Sequence, residues 1–330
     1  RILSERRNDM LKLSGISKFY GHFCALDKLS MNIDEGALYG FIGPNGAGKT
    51  TAIKIMTGIM YPDEGEVTID GMCLEDEPEI YKSMIGYVPD SFGMYSNIKV
   101  REYMQFFAAC CGKDGMEADK TADRLLEYVE LDNRRDYYVE ALSRGMKQKL
   151  ALARALINDP RILIMDEPTS GLDPRTRFEF KQILGELSDN GKTILISSHM
   201  LNDISELCTD IGIIDQGSIV MSGRLQEVMR LVTSENPIII SMAGKITQAI
   251  RFLKEDDSVK SMTIKGSDIM INFFGNKKEE AELLKRMIEA GLPVRSFSRE
   301  KGSLESIFMQ LTGHGEEHVT SSYDATESHN

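Results

Sequence analysis

The sequence predicts an α/β fold, a parallel sheet buried between helices, joined to a smaller α+β domain. Three observations predict it. An apolar run at 37–42 feeds the stretch Gly43-Pro44-Asn45-Gly46-Ala47-Gly48-Lys49-Thr50, and a helical pattern at 51–60, beginning with Thr51, follows. Short apolar runs at 162–165, 193–197 and 211–214 alternate with helical stretches, the pattern of strands covered on both faces. Beyond 232–237 the periodicity restarts in the order βαββαβ, a ferredoxin-like arrangement.

Composition narrows the function. The chain has 330 residues and a formal net charge of −12, which argues against a nucleic-acid backbone as main partner, because that binding needs Lys and Arg to neutralise phosphates. The longest charge-free span, 36–48, is broken by Gly and Pro and falls short of the ~18 residues of a membrane-spanning helix. Residues 1–9 are Arg-rich with no apolar run behind them, so they do not read as a secretory signal and are set aside as an extension. The cysteines (Cys24, Cys73, Cys110, Cys111, Cys208) lack C-x-x-C spacing and have apolar neighbours. Buried thiols in a reducing cytoplasm are expected rather than a disulfide or metal framework.

The stretch from Gly43 to Thr50 matches the phosphate-binding pattern G-x-x-x-x-G-K-[ST] in full. Its glycines let the backbone wrap a polyphosphate with N–H groups inward, and the next helix adds its positive N-terminal end. Lys49 is placed to reach the β- and γ-phosphates, and Thr50 to offer its hydroxyl to Mg²⁺. Nucleotide binding follows from this loop.

Ahead of the loop, 11–16 and 29–33 read as short strands about a turn at Gly21. Tyr20 precedes that turn, where an aromatic either stacks on a purine or packs half-buried in its strand. After the loop helix comes a turn at Tyr61-Pro62-Asp63-Glu64-Gly65, and 66–69 and 85–88 read as strands of one layer, ended by Pro89-Asp90. From 91 to 159 the periodicity is helical, at 100–110, 117–130 and 146–157, which marks a helical insert. Helices at 176–187 and 201–207 separate the later strands, and a hairpin at Asp215-Gln216-Gly217 with a helix at 224–231 closes a first domain, 10–232. The second, 237–312, has strands at 238–242, 259–264, 269–273 and 294–297, and helices at 246–253, 279–289 and 304–311. The polar tail, 313–330, reads as disordered, and its His314, His318 and His329 as solvated rather than as a metal site.

A second nucleotide signal is Ile162-Leu163-Ile164-Met165-Asp166-Glu167, an apolar strand ending in carboxylates. At the C-terminal end of a buried parallel strand Asp166 lies beside the phosphate loop and can hold Mg²⁺ through water. Glu167 then points at the γ-phosphate, where a carboxylate can take a proton from an attacking water.

The next residues, Pro168-Thr169-Ser170-Gly171-Leu172-Asp173, resemble the D-loop of ATP-binding cassette (ABC) ATPases, and Leu142-Ser143-Arg144-Gly145-Met146 resembles their signature motif. The order of phosphate loop (Walker A), signature, carboxylate strand (Walker B), D-loop and a strand ending in His199 is similar to that family across about 11–231. The resemblance implies a P-loop NTPase cassette with a parallel core sheet, an antiparallel β subdomain and a helical insert. It implies Tyr20 as the adenine-stacking aromatic, Glu167 as general base, and His199 as the residue contacting γ-phosphate and water. Ser143 can cap the helix at Met146, so Ser143 and Gly145 form a second anion site facing away from their own phosphate loop. The resemblance implies that this site, with Asp173 nearby, completes the ATP site of a second copy or a paralogous subunit in a head-to-tail dimer. It departs from the commonest form at Arg144, usually Gly, and Met146, usually Gln. A further departure is Asp90, where Gln or Glu usually touches Mg²⁺ and the attacking water; being shorter and charged, Asp90 is expected to reach Mg²⁺ through a bridging water, the alternative being a turn residue that ends the strand after Pro89.

The Ser-x-Gly-Met-Lys-Gln form and the C-terminal Ser303-Leu304-Glu305-Ser306-Ile307-Phe308 resemble ATPase subunits of exporters whose membrane permease is a separate chain. The leading expectation is an ATP-hydrolysing subunit on the cytoplasmic face of a membrane. The alternatives are a soluble cassette acting in translation or DNA repair, and a regulatory ATP-binding module. Translation members usually pair two cassettes and repair members carry a long coiled coil, neither of which is in this sequence. A degenerate module would lack catalytic residues, yet Lys49, Asp166, Glu167 and His199 are all present.

Overall fold

The computed structural model describes residues 9–91, 93, 97–199, 204, 206–233 and 237–299. The chain divides into two compact units, 1–225 and 226–330, each with its own apolar core.

The first unit opens on a hairpin of β1 (Asp9–Tyr20) and β2 (Phe23–Asp34), longer than the short strands expected because inward and outward residues alternate through most of both. Register shifts, among them one between Leu13 and Ile16, bend the pair. Asp9, set aside with the N-terminal extension, belongs to β1 and pairs with Asp34. On the other side of β1 lies β4 (Glu64–Ile69), then β5 (Met72–Cys73), in an antiparallel sheet of order β2-β1-β4-β5, where β3 (Leu38–Ile42) belongs to another sheet.

That other sheet contains β3, β6 (Ile85–Val88), β7 (Ile162–Met165), β8 (Thr193–Ser198), β9 (Asp210–Asp215) and β10 (Ser218–Arg224) in the order β10-β9-β3-β8-β7-β6. All its pairings are parallel except the β9–β10 hairpin. Residues 66–69 and 85–88 therefore do not share a layer as the sequence suggested, since β4 pairs with β1 and β6 with β7. The reason is pairing rather than local pattern, since β6, at the edge of its sheet, alternates buried and half-buried positions much as β4 does. In β4 Val67 and Ile69 are buried and the other positions are exposed or half-buried, as in a sheet with one wet face, whereas every residue of β3, β7 and β8 is buried.

Helices pack around this sheet. The loop helix α1 (Lys49–Met56) starts and stops earlier than the expected 51–60. It ends at Gly58 (φ +67°), where the N–H groups of Gly58 and Ile59 donate to the carbonyls of Ile55 and Lys54. The short α2 (Pro78–Ser83) precedes β6, and the helical insert comprises α3 (Val100–Cys110), α4 (Gly115–Tyr128) and α5 (Arg144–Ala155). Their buried residues fall at helical spacing: Val100, Tyr103 and Met104 on α3, Ala118, Ala122 and Leu125 on α4. After β7 comes α6 (Pro174–Asp189). Of the cysteines only Cys208 is buried; Cys24, Cys110 and Cys111 are exposed and Cys73 half-buried, all of them free thiols. The expectation of buried thiols fails because apolar sequence neighbours do not fix which face of a strand or helix end a side chain takes.

In the expected 201–207 helix only Ile204, Glu206 and Leu207 are described, with Ile204 helical and buried. Arg224 still belongs to β10, and α7 (Leu225–Thr233) follows.

The second unit holds β11 (Ile238–Met242), α8 (Ile246–Lys254), β12 (Val259–Lys265), β13 (Asp268–Phe273), α9 (Lys277–Glu289) and β14 (Val294–Arg299). Its sheet is antiparallel with order β12-β13-β11-β14, the ferredoxin-like arrangement. Ile238, Ile240, Ile269 and Ile271 from the central strands meet Ala249, Leu253, Leu283 and Met287 from the helices. The expected helix at 304–311 and the tail with His314, His318 and His329 lie outside the described residues. Among the described residues no helix is long and apolar enough to cross a membrane.

Candidate active site

The parallel strands place their C-terminal ends in a row, and a chemically important residue follows each of four. The glycine-rich loop leaves β3, Asp90 follows β6, Asp166 and Glu167 follow β7, and His199 follows β8. In an open parallel sheet this edge is where loops diverge and a ligand crevice forms. Here it is a cleft of about 530 Å³.

The loop is built against the β1–β2 hairpin. Gly48 has φ +106°, and a Cβ there would stand 2.7 Å from the Ala25 carbonyl oxygen, so glycine is required both by conformation and by space. Lys49 is buried, and its Nζ donates to the carbonyls of Gly43 (2.7 Å) and Pro44 (3.2 Å). That Nζ also stands 3.6 Å from Glu167 Oε1. Burial pulls the Lys49 ammonium below the ordinary lysine pKa, and the charges of Glu167 and Asp166 oppose that pull.

Asp166 is buried with both oxygens engaged: Thr50 Oγ1 donates to Oδ2 (2.9 Å) and Ser197 Oγ to Oδ1 (2.6 Å). Glu167 holds a left-handed backbone (φ +50°), uncommon for a residue with a Cβ, and its N–H donates to Ser197 Oγ (2.8 Å). The Nδ1 of His199 donates to Glu167 Oε2 (2.7 Å). One carboxylate is thus gripped at both oxygens, by an imidazole and an ammonium, at the mouth of a phosphate loop. Such a group can accept a proton from a bound water.

Of the residues the sequence nominated, Tyr20, Pro44, Asn45, Gly46, Gly48, Lys49, Thr50, Thr51, Asp90, Asp166, Glu167 and His199 line this cleft together. Gly43 and Ala47 are not in its lining; Ala47 belongs to the apolar core and the Gly43 carbonyl holds Lys49. Ser143, Gly145, Met146 and Asp173 are also outside it. Ser143 caps α5 by accepting from the Met146 N–H (3.2 Å), and Asp173 caps α6, accepting from the N–H (3.1 Å) and hydroxyl (2.6 Å) of Thr176. Those bonds hold the Asp173 carboxyl below its ordinary pKa.

Three residues escaped the sequence reading, and a fourth, Ser170, was named there only as part of the D-loop. Phe23, Ala25 and Ser170 line the cleft, and Ser197 sits behind it. The available signal for Phe23 was pairing: it lies directly across the hairpin from Tyr20 and so shares its face. For Ser197 it was a hydroxyl inside an otherwise apolar buried strand, which needs a partner.

The ABC transporter family model matches residues 26–170, which span the loop and the carboxylate strand. The chain is 30% identical to the linearmycin resistance ATP-binding protein LnrL of Bacillus subtilis (strain 168), over 92% of this chain and 98% of that one. The chain belongs to the ABC transporter ATP-binding family. It is also 31% identical to the Nod factor export ATP-binding protein I of Ralstonia nicotianae, over 92% of this chain and 94% of that one. Among solved structures, the dimeric post-hydrolysis state of the ATP-binding cassette MJ0796 bound to ADP and Pi aligns with a TM-score of 0.60 at 30% identity, covering 66% of this chain and 99% of that one. This ABC protein is therefore an ATP-binding, ATP-hydrolysing transporter subunit.

Proposed function

We propose that this ABC ATPase energises export: two copies, or one copy and a paralogue, sandwich two ATP molecules and drive a separate membrane permease from the cytoplasmic face. The observation that carries the reading is the meeting of Lys49, Thr50, Asp166, Glu167 and His199 in one cleft while Ser143 caps a helix outside it. The names of the relatives, a resistance protein and an export protein, support the direction of transport.

In this reading the loop N–H groups and Lys49 bind the phosphates, and the exposed rings of Tyr20 and Phe23 receive the purine. Thr50 Oγ1 and Asp166 Oδ2, already 2.9 Å apart, are hard oxygen donors that fit Mg²⁺, an ion that keeps most of its waters and takes few protein ligands. When bound, it neutralises charge on the transferring phosphoryl group. Glu167 takes the proton of the attacking water, and His199 orients that carboxylate. Ser143 and Gly145 close the site of the opposite subunit with the N-terminal end of α5.

The decisive experiment is purification of the tagged full chain from detergent-solubilised membranes with ATP and Mg²⁺. A co-purifying polytopic membrane protein that stimulates or restrains the ATPase is the expected result. Recovery with ribosomes or DNA and no membrane protein would overturn the export reading.

A further inference from the structure

The two charged departures from the usual motif, Asp90 and Arg144, meet each other. Arg144 Nη2 stands 4.0 Å from Asp90 Oδ1. The same guanidinium rests on Gly171, where a Cβ would lie 2.9–3.1 Å from its Cζ, Nε and Nη1. One side chain at the start of α5 therefore touches the loops that leave β6 and β7, and Asp90 and Ser170 from those loops line the cleft.

The charge arithmetic gives this contact a purpose. Asp90 joins Asp166 and Glu167 in a cleft that receives a triphosphate, adding a negative charge where a Gln would add none. Arg in place of Gly returns one positive charge beside it. Both side chains are more than half exposed (60% and 53%), so the pair contributes little to folding and acts instead on the local potential and on where the carboxylate is held. The planar fork of Arg suits a seat on glycine backbone that the compact ammonium of Lys does not fill.

We propose that Arg144 is a positioning residue within its own subunit: seated on Gly171, it neutralises Asp90 and holds it at the cleft edge so that the triphosphate is not repelled. This inference rests on the reading of the cleft as the ATP site. It also separates Arg144 from its neighbours Ser143 and Gly145, whose proposed work is on the opposite subunit's nucleotide.

The test is a double-mutant cycle on binding of a fluorescent ATP analogue, with and without Mg²⁺, at protein dilutions where the chain is monomeric and no second copy can supply Arg144. Wild-type binding comes first, and its absence would overturn the cleft assignment together with the pair. Given binding, Arg144→Gly weakens it about two- to fivefold, the range open to a surface ion pair, and the loss shrinks as salt is raised. In an Asp90→Gln background the same Arg144→Gly change has no effect, because the charge it offset is gone. Arg144→Lys falls between wild type and Arg144→Gly. Equal losses in both backgrounds, or none in either, would overturn the pair and leave the ATP site standing.

Discussion

His199 Nδ1 lies 2.7 Å from Glu167 Oε2, a contact between residues just beyond the ends of adjacent parallel strands. Met165 of β7 is in register with Ile196 of β8, so a residue past one end meets a residue past the other without a long side chain to bridge them. If Glu167 is the general base, Glu167→Gln keeps the shape and removes the proton acceptor. Turnover should fall by about 10²–10⁴-fold with ATP binding retained, and a dimer should accumulate with ATP, detected by light scattering. Near wild-type turnover would remove Glu167 from that role.

Ser197 offers a sharper test of how the site is held. Its hydroxyl donates to Asp166 Oδ1 and accepts from the Glu167 N–H, so one atom ties the Asp166 carboxylate to the strained backbone of Glu167. Ser197→Ala leaves a buried carboxylate oxygen and a backbone N–H without this partner. Denaturant titration should show a loss of about 1–3 kcal/mol. The turnover number should drop more than the Michaelis constant rises, because the loop that binds phosphate is untouched. Wild-type stability and turnover would show that the hydroxyl is dispensable.

Tyr20 and Phe23 face each other across the tip of the β1–β2 hairpin and both are exposed, an arrangement that leaves large apolar area in water unless a ring covers it. Tyr20 Oη is tied to Met60 Sδ at 3.2 Å, which orients its ring. Loss of base stacking costs about 1–3 kcal/mol per ring. Phe23→Ala and Tyr20→Ala should each raise the Michaelis constant for ATP about five- to 150-fold, with the turnover number at saturation close to wild type. An unchanged constant in Phe23→Ala would leave Tyr20 as the sole platform.

The legible parts of the molecule were those in which local chemistry dictates local geometry. The phosphate loop could be read because only glycine meets the demands at Gly48, and the cap of α5 because Ser143 is a residue type that satisfies free N–H groups at a helix start. The ferredoxin-like order could be read because short apolar runs such as those of β11 and β13 alternate along the chain with amphipathic helical stretches. Sheet membership of β4 could not, since its pairing partner β1 is some fifty residues away in sequence and no local pattern names it. Ser197 beside Asp166 and the meeting of Asp90 with Arg144 were hidden for the same reason, since each joins residues thirty or more apart in sequence. Phe23 differs: its partner Tyr20 is three residues away across the hairpin tip, so the signal was local.

The remaining prediction concerns the end of α5. Ser143 spends its side chain capping its own helix and does not line the cleft that contains Lys49, so the exposed end of that helix has no phosphate to bind within one chain. If a second copy supplies the phosphate, a Lys49→Ala chain and a Ser143→Arg chain are complementary. A mixed dimer gathers both defects in one composite site and leaves the other intact. Equal mixing should restore about a quarter of wild-type sites, the statistical yield for a two-fold dimer, whereas each mutant alone is inactive. A disulfide between Asn45→Cys and Ser143→Cys, formed with ATP after replacing the exposed Cys24, Cys110 and Cys111, gives an independent reading of the same geometry. A crosslink with no restored activity means that both sites must fire together. Absence of both crosslink and activity, in a mixture that still dimerises, would place the action of Ser143 elsewhere.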